Sequence, residues 1–289
     1  MQFSDFFKLV RFEHAIMLAI AVFIGETVVL GHIPEFTILI LLSLLVPIFS
    51  EMGSFALNDY LDVDSDRLNK KTERPLVRGA IKPDFAFKFA WLAFIVSTVL
   101  AFFINIPTFV IALMFNAFAI LYNYKLKDMP LLGNIYIAST MAIPFIFGNF
   151  AVSARLRVIS LVLAMLGFIS GIAREIVKSI QDMEGDMLAR KAQTLPILIG
   201  RKNASIFAVI FYIMFIPLSY TPFLYGLKMS AIPMILIFIG NLGILYNILL
   251  VYKAIHESDK SSKQYLKKAR NVTLAALFIG LVGYLAAVI

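Results

Sequence analysis

The chain contains no cysteine. Disulfides and thiolate metal sites are therefore excluded, and the absence fits a reducing compartment. Charge is also scarce. Only 15% of the residues are charged, against roughly 25% in an ordinary soluble domain. The long apolar runs show no period-two alternation, which excludes a membrane barrel of strands. The opening residues, MQFSDFFKLVRFEH, lack the basic patch, short apolar run and small-residue cleavage site of a secretory signal.

What is abundant is hydrocarbon. Of the 289 residues, 61% are hydrophobic, where about 45–50% suffices for a soluble core. A helix needs about 20 apolar residues to cross a bilayer. Nine spans are predicted, at about 14–31, 36–57, 84–104, 107–124, 131–150, 156–173, 204–224, 231–252 and 271–289. The expected fold class is an all-α membrane bundle around a central cavity, forming a single domain over residues 1–289. The formal net charge of +8 does not point to nucleic acid, because the basic residues lie between apolar segments. They collect in the N-terminus and in the connections near 58–83, 125–130, 174–202 and 253–270. Only Arg155, Arg157 and Lys228 fall in or beside the other set of links. The positive-inside rule then places the N-terminus and the long polar loops in the cytoplasm and the C-terminus outside. An odd number of spans requires opposite ends.

Two of the polar loops are acidic as well as basic. The first reads NDYLDVDSDRLNKKTERPLVRGAI, from Asn58 to Ile81. Asp59, Asp62 and Asp66 follow i, i+3, i+7 spacing and would share one face of a helix. The second reads REIVKSIQDMEGDMLARKAQTLPILIG, from Arg174 to Gly200. Here Arg174, Lys178, Asp182 and Asp186 form an i, i+4 stripe running back into the preceding span. A lone acidic run is usually a solvated face. Two of them at matching positions are harder to dismiss. Asp62 and Asp66 match Asp182 and Asp186 in spacing, and Pro75 with Gly79 echoes Pro196 with Gly200. These matches suggest a weak internal repeat of about 120 residues, covering about 1–130 and 131–255, with a ninth helix appended at about 271–289. In membrane bundles such repeats place a shared site where the halves meet.

Facing rows of carboxylate repel unless a cation joins them. Mg²⁺ prefers oxygen ligands and commonly binds through a few carboxylates plus substrate phosphates. The residues therefore predict an enzyme embedded in the membrane. It would act on a diphosphate whose other end is lipophilic, with Mg²⁺ stabilising the departing diphosphate.

Asn58-Asp59-x-x-Asp62-x-x-x-Asp66 resembles the first motif of the UbiA superfamily of intramembrane prenyltransferases, and Asp182-x-x-x-Asp186 resembles its second. The resemblance spans essentially the whole chain, and within the superfamily the two loops are most similar to the archaeal digeranylgeranylglyceryl phosphate synthases. It implies transfer of a geranylgeranyl group from geranylgeranyl diphosphate to the free hydroxyl of geranylgeranylglyceryl phosphate, a step in archaeal ether-lipid synthesis. The resemblance also implies Asn58, Asp62 and Asp66 as ligands of one Mg²⁺, Asp182 and Asp186 as ligands of a second, and Asp59 as a ligand or its supporting partner. Arg67, Arg74 and Lys178 would bind diphosphate oxygens. The family's YxxxK element is not reproduced at its spacing in LYNYKLKD, Leu121 to Asp128. Tyr122 remains a candidate for stabilising the allylic cation, and Lys125 or Lys127 for reaching phosphate. Arg11, His14 and Arg174 are candidates for the acceptor's phosphate, with an interfacial anchor as the alternative for Arg11 and His14.

Lys70, Lys71, Lys267 and Lys268 read as charges facing lipid headgroups. Glu26 lies near the outer end of the first span, where a functional role and snorkelling are both open. Asn116, Asn134, Asn149, Asn241 and Asn247 fit hydrogen bonds between helices; Asn123 and Asn134 are placed to line the cavity. Aromatic or tetrapyrrole acceptors are alternatives within the same superfamily. An ion-coupled transporter is the alternative of another class. The acids cluster at one surface and no broken helix is evident at the midplane, which argues against transport. A phosphatidyl-alcohol phosphotransferase would need a DGxxAR start that is absent here.

Overall fold

A computed structural model describes residues 2–68, 71–190, 192–257 and 259–289. Eleven α-helices follow in order: α1 (Phe3–Val10), α2 (Phe12–Leu30), α3 (Ile38–Leu61), α4 (Val63–Leu68), α5 (Pro83–Phe102), α6 (Ile106–Tyr124), α7 (Leu132–Val152), α8 (Val158–Arg190), α9 (Leu195–Leu218), α10 (Ala231–His256) and α11 (Asp259–Ala286). No strand occurs among the described residues. All helices but α1 and α4 are long and apolar enough to cross a membrane, so the described residues contain nine candidate spans. This is a multi-pass membrane protein.

Local chemistry sets many helix ends. The Thr37 hydroxyl accepts from the Ile40 amide at the start of α3. The Asn105 side chain accepts from the Thr108 amide at the start of α6, where Pro107 occupies the first turn. Such side chains satisfy amides that the helix itself leaves open. Gly31 ends α2 in the left-handed region at φ 76°, which glycine enters without steric cost.

Three boundaries differ from the hydropathy reading in ways that matter for the site. Helix α8 continues to Arg190 and not to about 173, so Asp182 and Asp186 ride on the helix itself. Its 33 residues extend about 50 Å at 1.5 Å per residue, well beyond an apolar layer of about 30 Å. Helix α11 likewise begins at Asp259 and not at about 271, and α9 spans Leu195–Leu218 and not 204–224. In α8 and α11 the hydropathy window stops where side chains turn polar, whereas backbone hydrogen bonding continues along a polar stripe; α9 instead leaves helical geometry at Gly200 (φ 81°, ψ 156°), which separates its first turn from the span. The opposite correction applies to the first motif. Helix α3 ends at Leu61, and Asp62 has non-helical angles (φ −92°, ψ 1°) before α4 begins. Asp59, Asp62 and Asp66 therefore do not share one face of a continuous helix.

Helix α2 packs on α3 and α7, α7 on α8, and α8 on α9; α10 pairs with α11, which returns to α2 and α8 around a central chamber. Small residues let these backbones approach, since lipid offers no hydrophobic incentive for helices to meet. Where α7 meets α8, a Cβ placed on Gly167 would lie 2.3 Å from the Met141 carbonyl oxygen. Polar side chains join helices elsewhere. Asn116 accepts from Ser50 and donates to Thr98, and Asn149 accepts from Ser160. Glu26 does not snorkel: it is wholly buried, and Ser43 of α3 donates to its carboxylate. It sits on the face of α2 turned toward α3, away from water.

A separate apolar core beside the chamber positions the first motif. Leu76 and Ile81, in the segment after α4, pack with Leu9 and Val10 of α1, Met52, Ala56 and Leu57 of α3, and Ala86 and Ala90 of α5. Leu76 and Ile81 are almost fully buried. They fold residues 71–82 back over the end of α3, and an Arg78–Asp5 ion pair ties the segment to α1. Substitution Gly167→Ala should lower stability by about 1–3 kcal/mol through forced separation of α7 and α8. Thermal unfolding of the purified protein in detergent checks this, with an unchanged midpoint contradicting the close approach.

Candidate active site in the central chamber

The chamber encloses about 660 Å³ and is lined from both acidic motifs. From the first motif come Asn58, Asp62 and Asp66; from the second, Asp182 and Asp186. Burying carboxylates among apolar helices is costly unless each finds a cation. Lys127 Nζ lies 2.5 Å from Asp62 Oδ1. Lys71 Nζ lies 3.2 Å from Asp66 Oδ1, and Arg74 pairs with the other oxygen of Asp66. Lys178 lies 3.1 Å from Glu175, and Lys263 pairs with Glu184.

Asp59 behaves differently from its neighbours. It is 2% exposed and is not among the residues lining the chamber. One of its oxygens, Oδ1, accepts from Arg11 Nη2 and from Arg74 Nη1, both at 3.1 Å. Both arginines do line the chamber. Asp59 therefore holds two guanidiniums in place from behind, which favours the supporting position over the ligand position of the two roles expected for it. Arg11 is further held over the Phe55 ring, 4.3 Å from its centroid. It occupies the joint between α1 and α2 in left-handed geometry, φ 43° and ψ 57°. That conformation costs a side-chain-bearing residue roughly 1 kcal/mol and is tolerated where the surroundings enforce it. Burial lowers the Arg11 pKa, and the Asp59 carboxylate opposes that shift.

Two other candidates fall outside the chamber. Arg67 is exposed and paired with Asp64 at 3.1 Å, because α4 turns it to the outside. Lys125 is exposed at the end of α6, whereas Lys127, on the short helical turn that follows, reaches in. Lys71, read as a headgroup-facing charge, instead lines the chamber beside Asp66; Lys70 lies outside the described residues. Lys268 is exposed over the Tyr246 ring. His14 and Arg174 line the wall, as does Asn123; Asn134 donates to Ser179 without lining it. Tyr122 lines the chamber and stacks on Tyr136, ring centroids 4.9 Å apart.

The walls also hold residues that the sequence reading passed over: Glu51, Tyr136, Glu175, Lys263 and Arg270. Glu51 lies two helical turns before Asn58, inside an apolar run. An intramembrane carboxylate there was a usable signal. Arg270 falls where hydropathy reads a loop, although it belongs to α11 and faces the chamber.

Among the described residues, no group of three or more His, Asp or Glu is placed to hold a metal unaided. The donors are hard oxygens spread over two motifs, which suits Mg²⁺ bound partly by substrate phosphates and not an all-protein cage. The profile of the UbiA prenyltransferase family matches residues 17–271.

The chain belongs to the UbiA prenyltransferase family.

Among its relatives, the digeranylgeranylglyceryl phosphate synthase of Archaeoglobus fulgidus is 36% identical over 286 residues, 96% of this chain and 93% of that protein. A solved structure from work on digeranylgeranylglyceryl phosphate synthase in membranes superimposes with a TM-score of 0.76 at 28% identity, covering 99% of this chain and 98% of that one. The UbiA fold is shared also with a UbiA homologue from Archaeoglobus fulgidus bound to GPP and Mg2+, at a TM-score of 0.65 and 20% identity, covering 97% and 99%. In this UbiA chain, Asp59→Asn should leave Arg11 and Arg74 under-compensated, costing about 3 kcal/mol of stability. Unfolding and turnover should suffer together. A variant with wild-type stability would show that the buried bridge is dispensable.

Proposed function

We propose that this chain is a geranylgeranyltransferase that moves the prenyl group of geranylgeranyl diphosphate onto the free hydroxyl of geranylgeranylglyceryl phosphate. The single observation that carries the reading is one apolar chamber lined at one end by both aspartate motifs. Relatives over 93% of their length bearing the name digeranylgeranylglyceryl phosphate synthase support the choice of acceptor. The basic loops argue for a cytoplasmic mouth, with geranylgeranyl tails and membrane lipid sharing the apolar side.

In this reading Asn58, Asp62 and Asp66 hold one Mg²⁺, and Asp182 and Asp186 hold the other. When bound, Mg²⁺ supplies a Lewis acid for the negative charge that develops on the diphosphate. Arg74, Lys71, Lys127 and Lys178 bind diphosphate oxygens. They also pair with Asp66, Asp62 and Glu175. Substrate thus exchanges one set of charge pairs for another, without adding uncompensated charge to a low-dielectric site. The Tyr122 ring, held by its stack on Tyr136, presents a π face to the allylic cation left by cleavage of the C–O bond. The apolar walls keep water from that cation, leaving the glyceryl hydroxyl as its captor.

Mass spectrometry of the product formed from geranylgeranyl diphosphate and a panel of acceptors should give the two-chain glyceryl ether. A prenylated ring in its place would move the protein to another branch of the family. Asp62→Ala and Asp186→Ala should each reduce turnover at least about 100-fold with the protein still folded. Near-normal turnover in either variant would remove the two-motif site. Chelation by EDTA should stop the reaction and added Mg²⁺ restore it; activity surviving exhaustive chelation would refute metal dependence.

A further inference from the structure

The cations lining the chamber divide into two groups. Arg11 and Arg74 share Asp59, and Lys71, Lys127, Lys178 and Lys263 each have a carboxylate of their own. Arg174 and Arg270 do not. Neither forms an ion pair with any described residue, and each keeps a buried Nε with no hydrogen-bond partner. Arg270 is held only by a neutral group, its Nη1 donating to Gln181 Oε1 at 2.9 Å. The two stand on helices that pack together, α8 and α11, and Arg174 lies within electrostatic reach of Arg270.

Two like charges at one wall of a membrane chamber repel, and withdrawing them from water adds to the cost. Everywhere else in this chamber the chain meets that cost with an acidic side chain. Here the nearest acid, Glu175, is already paired with Lys178, and a ligand's charge would complete the balance. Two guanidiniums lining one chamber from adjacent helices suit a phosphate monoester, since each planar fork donates parallel N–H groups to tetrahedral oxygens.

Both the donor diphosphate and the acceptor phosphate have this chemistry, and depth separates them. Arg174 precedes Asp182 by eight residues on α8, about 12 Å along the helix toward the bilayer interior. It is the innermost charge of that stripe, one turn inside Lys178, and Arg270 reaches from beside it toward the mouth as far as Gln181. The acceptor must bring its hydroxyl to the first carbon of the prenyl chain, which lies on the inner side of that diphosphate. We infer that Arg174 and Arg270 form the cradle for the phosphate of the glyceryl acceptor, a specificity site separate from the diphosphate site. This inference rests on the proposed transfer to geranylgeranylglyceryl phosphate.

The test uses the full chain in lipid nanodiscs with geranylgeranyl diphosphate as donor, and compares geranylgeranylglyceryl phosphate with its dephosphorylated analogue. The wild type should prefer the phosphorylated acceptor by about 10–100-fold in kcat/KM. Arg174→Gln and Arg270→Gln should each raise its KM about tenfold or more, while KM for the donor and kcat/KM for the analogue stay within about twofold. The preference for phosphate would then collapse. A rise in donor KM alone would assign the pair to the diphosphate and overturn the inference, as would an unaltered preference. Should either variant fail to fold, Arg174→Lys and Arg270→Lys keep the charge and the buried stem but lose the planar fork. They should show the same selective rise in smaller measure, and no selective rise would overturn the inference. Failure of the underlying functional reading looks different: the wild type would then prenylate neither glyceryl acceptor.

Discussion

Charge compensation inside an apolar enclosure governs this molecule. An ionised carboxylate among membrane helices loses several kcal/mol of hydration that a well-placed cation can return. The chain meets this requirement by joining distant segments: Arg11 to Asp59, Lys127 to Asp62, and Arg74 to both Asp59 and Asp66. Each pairing fixes an element. The Arg11 pairing sets the bend between α1 and α2, the Lys127 pairing draws in the turn after α6, and the Arg74 pairing closes residues 71–82 over the end of α3. Charge balance and site geometry are therefore one problem with one solution.

The apolar packing serves the same end. Leu76 and Ile81 have no direct part in chemistry, yet burying them beside Leu57 and Ala90 holds Arg74 where two aspartates can use it. At Gly167 the α7 and α8 backbones come close enough to exclude even a methyl group. That packing holds the inner stretch of α8, from which the helix runs outward to Asp182 and Asp186. A long rigid helix then presents one acidic motif, while a broken helix end presents the other. Beyond the broken end Asp62 and Asp66 face the chamber, while Asp59, still within α3, does not line it. A chamber furnished in this way combines a charged mouth with an apolar interior, as a reaction between two amphiphiles requires.

Much of the fold was legible residue by residue. The nine apolar runs match the nine candidate spans in order, because bilayer thickness imposes a length that composition reveals directly. The acidic motifs were visible as patterned charge, and the i, i+4 stripe through Arg174, Lys178, Asp182 and Asp186 was traced back into the preceding span, although hydropathy ended that span near 173 and the helix runs on to Arg190. Arg67 and Lys125 show the limit of that kind of reading. Each lies within a few residues of one that lines the chamber, and the turn of the chain at a helix end separates inside from outside.

Membrane insertion, helix order and the position of the acidic motifs were thus determined by the sequence itself, since each depends on neighbours along the chain. Tertiary structure decided which charges meet. Arg11 and Asp59 are 48 residues apart, Lys127 and Asp62 are 65, and Arg270 and Gln181 are 89. No local periodicity encodes such distances. They arise because ionic groups withdrawn from water must be neutralised by whatever the fold brings within reach, and Arg174 and Arg270 became notable only once every other cation in the chamber had found its carboxylate.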